Sequence, residues 1–175
     1  NGSFQQKNKD IALTTINTLK KFHKIKINKN KIINGLKKTR WPARMEFVSG
    51  NVLIDSAHNP DGFKALKKEL LILKKQKNIE KFIFVVGIQE TKDMETMLKS
   101  INPLVNAIIF TKSDNPKAEE PAELLRIFSK INKNKETIKK IINNPKTALK
   151  HAQKMAGMSD LVVCAGSIYM VGEVI

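Results

Sequence analysis

From residue 45 onward, short apolar runs alternate with stretches whose apolar residues return every three or four positions. The first pair sets the pattern. Val52-Leu53-Ile54 reads as a buried strand running into Asp55 and His58. Asn59-Pro60 then opens a helix, with Asn as the cap and Pro at the first helical position. Phe63, Leu66, Leu70 and Leu73 carry the apolar stripe of that helix over 60–76.

The same alternation continues to the end of the chain. Met45–Val48 and Val52–Asp55 are predicted strands around a hairpin-length turn at Ser49-Gly50-Asn51. Strands are predicted at Lys81–Val86, Ala107–Thr111, Thr137–Ile142 and Leu161–Cys164. Helices follow them: one capped by Asp93 with Met94, Met97, Leu98 and Ile101 inward, and one from Pro121 bearing Leu124, Leu125 and Phe128. A third runs from Asn144-Pro145 to Met155, and a last one is capped by Ser167. Strands alternating with helices require right-handed crossovers. The expected fold is α/β: a Rossmann-like, doubly wound, mostly parallel sheet with helices on both faces and a short N-terminal hairpin.

Residues 1–9 are polar and begin without an initiator methionine, so a fragment of something longer is expected. Asp10 is predicted to cap a helix reaching Phe22, with Ile11, Ile16 and Leu19 on one face. Lys24–Asn34 reads as a linker leading into a short helix with Ile32, Ile33 and Leu36, weakened by Gly35.

Composition narrows the function. At 175 residues the chain suits one domain with some flanking structure. No apolar run approaches the roughly 20 residues of a membrane helix, and no signal-peptide pattern is present. The single cysteine, Cys164, lies inside an apolar strand, which suits core filler in a reducing cytosol. The net charge of +16 suggests nucleic acid at first sight. Yet arginine occurs only at Arg40, Arg44 and Arg126, and the lysines fall on outer helix faces such as Lys67, Lys68, Lys74 and Lys75. No aromatics are interleaved with them for base stacking, so a solvated basic surface is the expectation rather than a dedicated site.

Polar clusters fall at Gln5/Asn8, Arg44, Asp55/His58/Asn59, Lys92/Asp93, Asp114-Asn115-Pro116-Lys117 and Gly166-Ser167. Loops that follow parallel strands share one edge of a sheet, so the last four clusters should converge. There is no Walker phosphate loop, no GxGxxG and no zinc-ligand spacing. Asn59, Asp93 and Ser167 also suit helix caps without any ligand.

Three blocks carry a family likeness: Arg40-Trp41-Pro42-Ala43-Arg44-Met45-Glu46, Leu53 to Gly62, and Cys164 to Val174. Together with Val86-Gly87-Ile88, Lys92-Asp93, and Gly2 with Gln5 and Asn8, they resemble, in order, the carboxyl-terminal part of folylpolyglutamate synthase/dihydrofolate synthase. That family belongs to the Mur ligase superfamily. The likeness covers essentially the whole chain. It implies that 1–39 is the terminal helix of a central ATP-binding domain plus a linker, and that 40–175 is the C-terminal α/β domain. It also implies an ATP-dependent amide ligase: ATP phosphorylates a folate carboxylate, and the amine of L-glutamate attacks the acyl phosphate.

Carried over by motif, Asn8 would contact the nucleotide, Arg44 and His58 would serve the phosphates and catalysis, and Asp55 would accept from the ribose hydroxyls. Lys92, Lys117 and Ser167 would face the substrates, Ser167 taking the glutamate carboxylate at a helix N-terminus. Magnesium would be held by the family's amino-terminal domain, so no metal ligand is expected in this chain. Phe4 replaces a usual histidine, Ala43 a glycine and Thr91 a common aspartate. Lys117 stands where some Mur ligases place an arginine, a point charge in place of a bidentate fork. The chain alone is expected to be inactive, and its parent a cytoplasmic monomer with no specific nucleic-acid or membrane partner. A peptidoglycan ligase of the same superfamily, suggested by Asp114–Lys117, and a basic nucleic-acid-binding module are the alternatives.

Overall fold

The computed structural model of the protein describes residues 4–175, with side chains from residue 6. Gly2 therefore lies outside the described residues, as do the side chains of Phe4 and Gln5. The chain divides into two compact units, Asn1–Pro42 and Ala43–Ile175.

The first unit holds two helices, α1 (Phe4–Phe22) and α2 (Lys29–Lys38). The first begins upstream of the predicted cap. Asp10 sits inside α1, where its carboxylate accepts a bond from Gln6 Nε2 at 2.9 Å one turn earlier. Asn28 caps α2 by accepting from the Lys31 N–H, and Gly35 is tolerated within it. No side chain of α2 is buried, and of the α1 residues expected on one face Ile16 is half-buried while Ile11 and Leu19 are exposed.

The second unit is built on a six-stranded sheet in the order β1-β2-β6-β3-β4-β5. The strands are β1 (Glu46–Ser49), β2 (Val52–Ile54), β3 (Phe82–Val86), β4 (Val105–Phe110), β5 (Ile138–Ile141) and β6 (Leu161–Ala165). Only the β1–β2 hairpin is antiparallel; β2, β6, β3, β4 and β5 run parallel. Between them run α3 (Pro60–Lys77), α4 (Met94–Ile101), α5 (Pro121–Ile131) and α6 (Pro145–Met155), and α7 (Ile168–Val174) follows β6.

Strand side chains alternate between two cores. Leu53, Phe82, Phe84, Val86, Phe110 and Val163 pack under α3, α4 and α5, against Phe63, Leu66, Met97, Leu98, Leu124 and Phe128. Val52, Ile54, Ile83, Val85, Ile109, Val162 and Cys164 pack on the other face against Ala148 and Ala152 of α6 and Met170 and Val171 of α7. Each large side chain so buried contributes about 1.5–3 kcal/mol. β2, β3 and β6 are apolar on both faces because both are covered, which is why they read as continuous runs. No helix among the described residues is long and apolar enough to cross a membrane.

This arrangement fixes where a ligand goes. The helices after β2 and β3 lie on one face, while the helix after β6, which stands between them, lies on the other. The carboxyl ends of β2, β6 and β3 therefore flank a topological switch point, where open α/β sheets form a crevice.

Candidate active site

The loop after β2 is organised by Asp55. Its backbone N–H continues the sheet to Cys164 O at 3.0 Å. Its carboxylate turns inward: Oδ1 accepts the Ala57 N–H at 2.8 Å and Oδ2 accepts the Met45 N–H at 3.0 Å. Asp55 is only 4% exposed, and burial pushes its carboxyl above the usual value, opposed by those two N–H groups and the nearby Arg44 charge.

The bond to Met45 seats the turn that carries Arg44. Ala43 and Met45 on either side of it have left-handed backbone, φ +56° and +50°. Glu46 Oε2 accepts the Ala43 N–H at 2.8 Å, and Ala43 O accepts the Ser56 N–H at 2.7 Å. Arg44 itself projects to solvent. The positive φ at Ala43 is a backbone that glycine adopts more readily than alanine.

His58 is half-buried, and its Nδ1 lies 2.9 Å from Ser56 O. A carbonyl only accepts, so Nδ1 carries the proton and Nε2 is left for a ligand. Asn59 caps α3 through the Gly62 N–H at 2.7 Å.

The neighbouring loops are laced into a row. Gly166 N–H donates to Ala57 O at 2.9 Å, joining the ends of β6 and β2. A side chain on Gly166, whose φ is +122°, would run into Gly87 O at the end of β3, and one on Gly87 would meet Thr111 O at 2.8 Å. Glu119 N–H donates to Ile88 O and Glu90 N–H to Lys117 O, tying the β3 loop to the β4 loop. Glu173 Oε1 accepts the Asp114 N–H at 2.9 Å, linking α7 to that same loop. Glu173 lies within a block of the sequence likeness, but nothing in its spacing singles it out.

Lys92 is half-buried and Lys117 exposed, on adjacent loops of this row. Asp93 caps α4 through the Thr96 N–H at 3.0 Å, and that bond holds its carboxyl below the usual value. Asn115 Oδ1 accepts the Lys117 N–H at 2.8 Å, shaping the Asp-Asn-Pro-Lys turn. Ser167 is 3% exposed, and its hydroxyl caps α7 by accepting from the Met170 N–H. Asn8 belongs to the first unit, on α1.

Ion pairs join Lys64 to Asp61, Lys99 to Glu95, Lys112 to Glu120 and Arg126 to Glu123. Arg44, His58, Lys92 and Lys117 take part in none of them. Among the described residues no group of three or more His, Cys, Asp or Glu could hold a metal ion.

The strand order and the loops gathered at the carboxyl ends of β2, β6 and β3 make this a doubly wound α/β domain. Residues 43–168 match the family described as Mur ligase, glutamate ligase domain, and the chain belongs to that family. It is 26% identical over 176 residues to the dihydrofolate synthase/folylpolyglutamate synthase of Bacillus subtilis (strain 168), covering 99% of this chain and 39% of that protein. To the UDP-N-acetylmuramoyl-L-alanyl-D-glutamate--2,6-diaminopimelate ligase 1 of Clostridium acetobutylicum it is 31% identical over 147 residues, 80% of this chain and 30% of that one. The fold matches the folylpolyglutamate synthase of Mycobacterium tuberculosis, solved with ADP and AMPPCP, with a TM-score of 0.79 at 20% identity, over 98% of this chain and 39% of that one. The chain thus spans between about 30% and 39% of the length of these relatives.

Proposed function

We propose that this chain supplies the nucleotide- and amino-acid-facing half of an ATP-dependent amide ligase that joins L-glutamate to a folate carboxylate. The folate acceptor is dihydropteroate or a tetrahydrofolate. One observation carries the reading: the loops bearing Arg44, His58, Lys92 and Lys117 are gathered on one sheet edge in a chain of the glutamate ligase domain family. Residues 1–39 fit the last helix of a central ATP-binding domain and its linker, with Asn8 reaching the nucleotide. A reduced, buried Cys164 suits a cytoplasmic protein.

ATP, when bound, supplies the phosphoryl group that turns an unreactive carboxylate into an electrophile. The chain's own task is to hold anions in line with an amine, which is positioning and charge neutralisation. Arg44 neutralises phosphate oxygens, and His58, anchored through Nδ1 on Ser56 O, donates to them from Nε2 only as the imidazolium. Asp55 holds the Arg44 turn and keeps lone pairs for the ribose hydroxyls. Lys92 faces the acceptor, while Lys117 and Ser167 take the glutamate carboxylate. The divalent ion that accompanies ATP is assigned to residues outside this chain, and no step here depends on it.

The test is a nitrogen–proton NMR titration of the 175-residue chain with magnesium-ATP, then with L-glutamate, and in parallel with meso-diaminopimelate. Saturable shifts at Arg44, His58 and Lys92 with ATP, followed by shifts at Lys117 and Ser167 with glutamate, are expected. Shifts with diaminopimelate alone would move the assignment to a peptidoglycan ligase. Saturating ATP with no shift at any of these amides would remove the nucleotide role from this edge.

A further inference from the structure

We infer that the opposite, amino edge of the sheet carries a second small-molecule site, one that takes a free α-amino acid with an apolar side chain. A cavity of about 320 Å³ opens there, where β3, β4, β5 and β6 begin. That volume lies within the range of small-ligand pockets. Its floor is apolar, formed by Ile83, Ala107 and Met155. Thr137 lines it and is 7% exposed, yet its hydroxyl has no hydrogen-bond partner. A buried hydroxyl without a partner is costly, and a bound carboxylate would relieve that cost.

The charges select the ligand. Lys81 on one strand entrance and Glu136 and Asp160 on two others line the same cavity and form no ion pair with one another; Asp160 Oδ2 accepts the Gly157 N–H at 2.9 Å, which leaves Oδ1 for a ligand. A phosphate would meet two carboxylates, and a simple cation would meet the ammonium. A zwitterion satisfies both: its carboxylate goes to Lys81 and the Thr137 hydroxyl, and its ammonium to Glu136 and Asp160. Its side chain then rests on Ile83 and Met155. An acidic side chain is disfavoured by the two carboxylates. The site is separate from the carboxyl edge and does not rest on the ligase reading.

L-Leucine, L-leucine amide and L-glutamate titrated into the 175-residue chain test this by NMR. Leucine should give saturable shifts at the amides of Ile83, Ala107, Thr137 and Ile138. Leucine amide, which lacks the carboxylate, should bind roughly tenfold more weakly. That discrimination should vanish in Lys81→Ala, an exposed position whose truncation leaves the core intact. Thr137→Val, equal in shape, should weaken leucine several-fold while leaving the spectrum folded. No saturable shift at these amides with leucine at about 20 mM, well above a millimolar Kd, would overturn the inference. So would leucine amide binding as well as leucine, or shifts confined to the carboxyl edge.

Discussion

Asp55 and Met45, ten residues apart, are joined by a part-buried bond in which the carboxylate accepts the Met45 N–H at 3.0 Å. The same carboxylate accepts the Ala57 N–H, so one side chain clamps the Arg44 turn to the loop after β2. Asp55→Asn presents an amide hydrogen to one of those N–H groups and should cost about 1–3 kcal/mol in urea unfolding at pH 7. Amide exchange at Met45 should accelerate in the same variant.

Burial raises the Asp55 carboxyl above its ordinary value of 3.8. The folded protein then holds this proton more tightly than the unfolded chain does. The contribution is fully present below the ordinary value and is lost as pH rises through the raised one. Unfolding measured across that window should therefore show the advantage of the native protein over Asp55→Asn shrinking as pH rises. An advantage that grows with pH would refute the assignment.

Two glycines should respond in opposite directions. Gly166→Ala forces a side chain onto Gly87 O at φ +122°, so a loss of about 3–5 kcal/mol is expected from strain and overlap together. Gly172, inside α7, has nothing within 4 Å of an added Cβ. Gly172→Ala should stabilise by about 0.5–1 kcal/mol. Thermal unfolding of the pair checks both signs.

Ala43 adopts a left-handed backbone while its methyl is buried against Val52 and Ile54. In Ala43→Gly the relief of about 1 kcal/mol of strain is offset by the lost methyl and a freer unfolded chain, so stability should stay within about 1 kcal/mol. Ala43→Val adds a β-branch where φ is positive and should cost about 2 kcal/mol or more. Denaturant midpoints distinguish the two.

Cys164 is fully buried, and desolvation pushes its thiol up to about 12. A disulfide reagent at pH 8 should leave the native protein unlabelled and react at once in denaturant. Fast native labelling would mean that β6 opens locally.

Much of this was legible because each local signal had one physical meaning. Asn59, Asp93 and Ser167, read as caps, all accept the expected backbone N–H. The convergence of loops followed from parallel strands alone. Asp10 misled because an acid suits a cap and also tolerates an exposed helix interior, where Gln6 one turn earlier satisfies it. The insertion of β6 between β2 and β3 was not legible, since alternation fixes strand direction but not strand order. Nor was the inward turn of the Asp55 carboxylate, or Glu173 as the acceptor for Asp114, because both depend on partners distant in the chain.

The place of β6 also governs the order in which the domain is made. β2 has no parallel neighbour except β6, which follows it by more than a hundred residues. During synthesis, β3, β4 and β5 can associate as they leave the ribosome, while β2 and its hairpin wait beside an open slot. The crevice is closed only when β6 emerges, so a chain stalled before it would present an unpaired apolar β3 edge and invite aggregation.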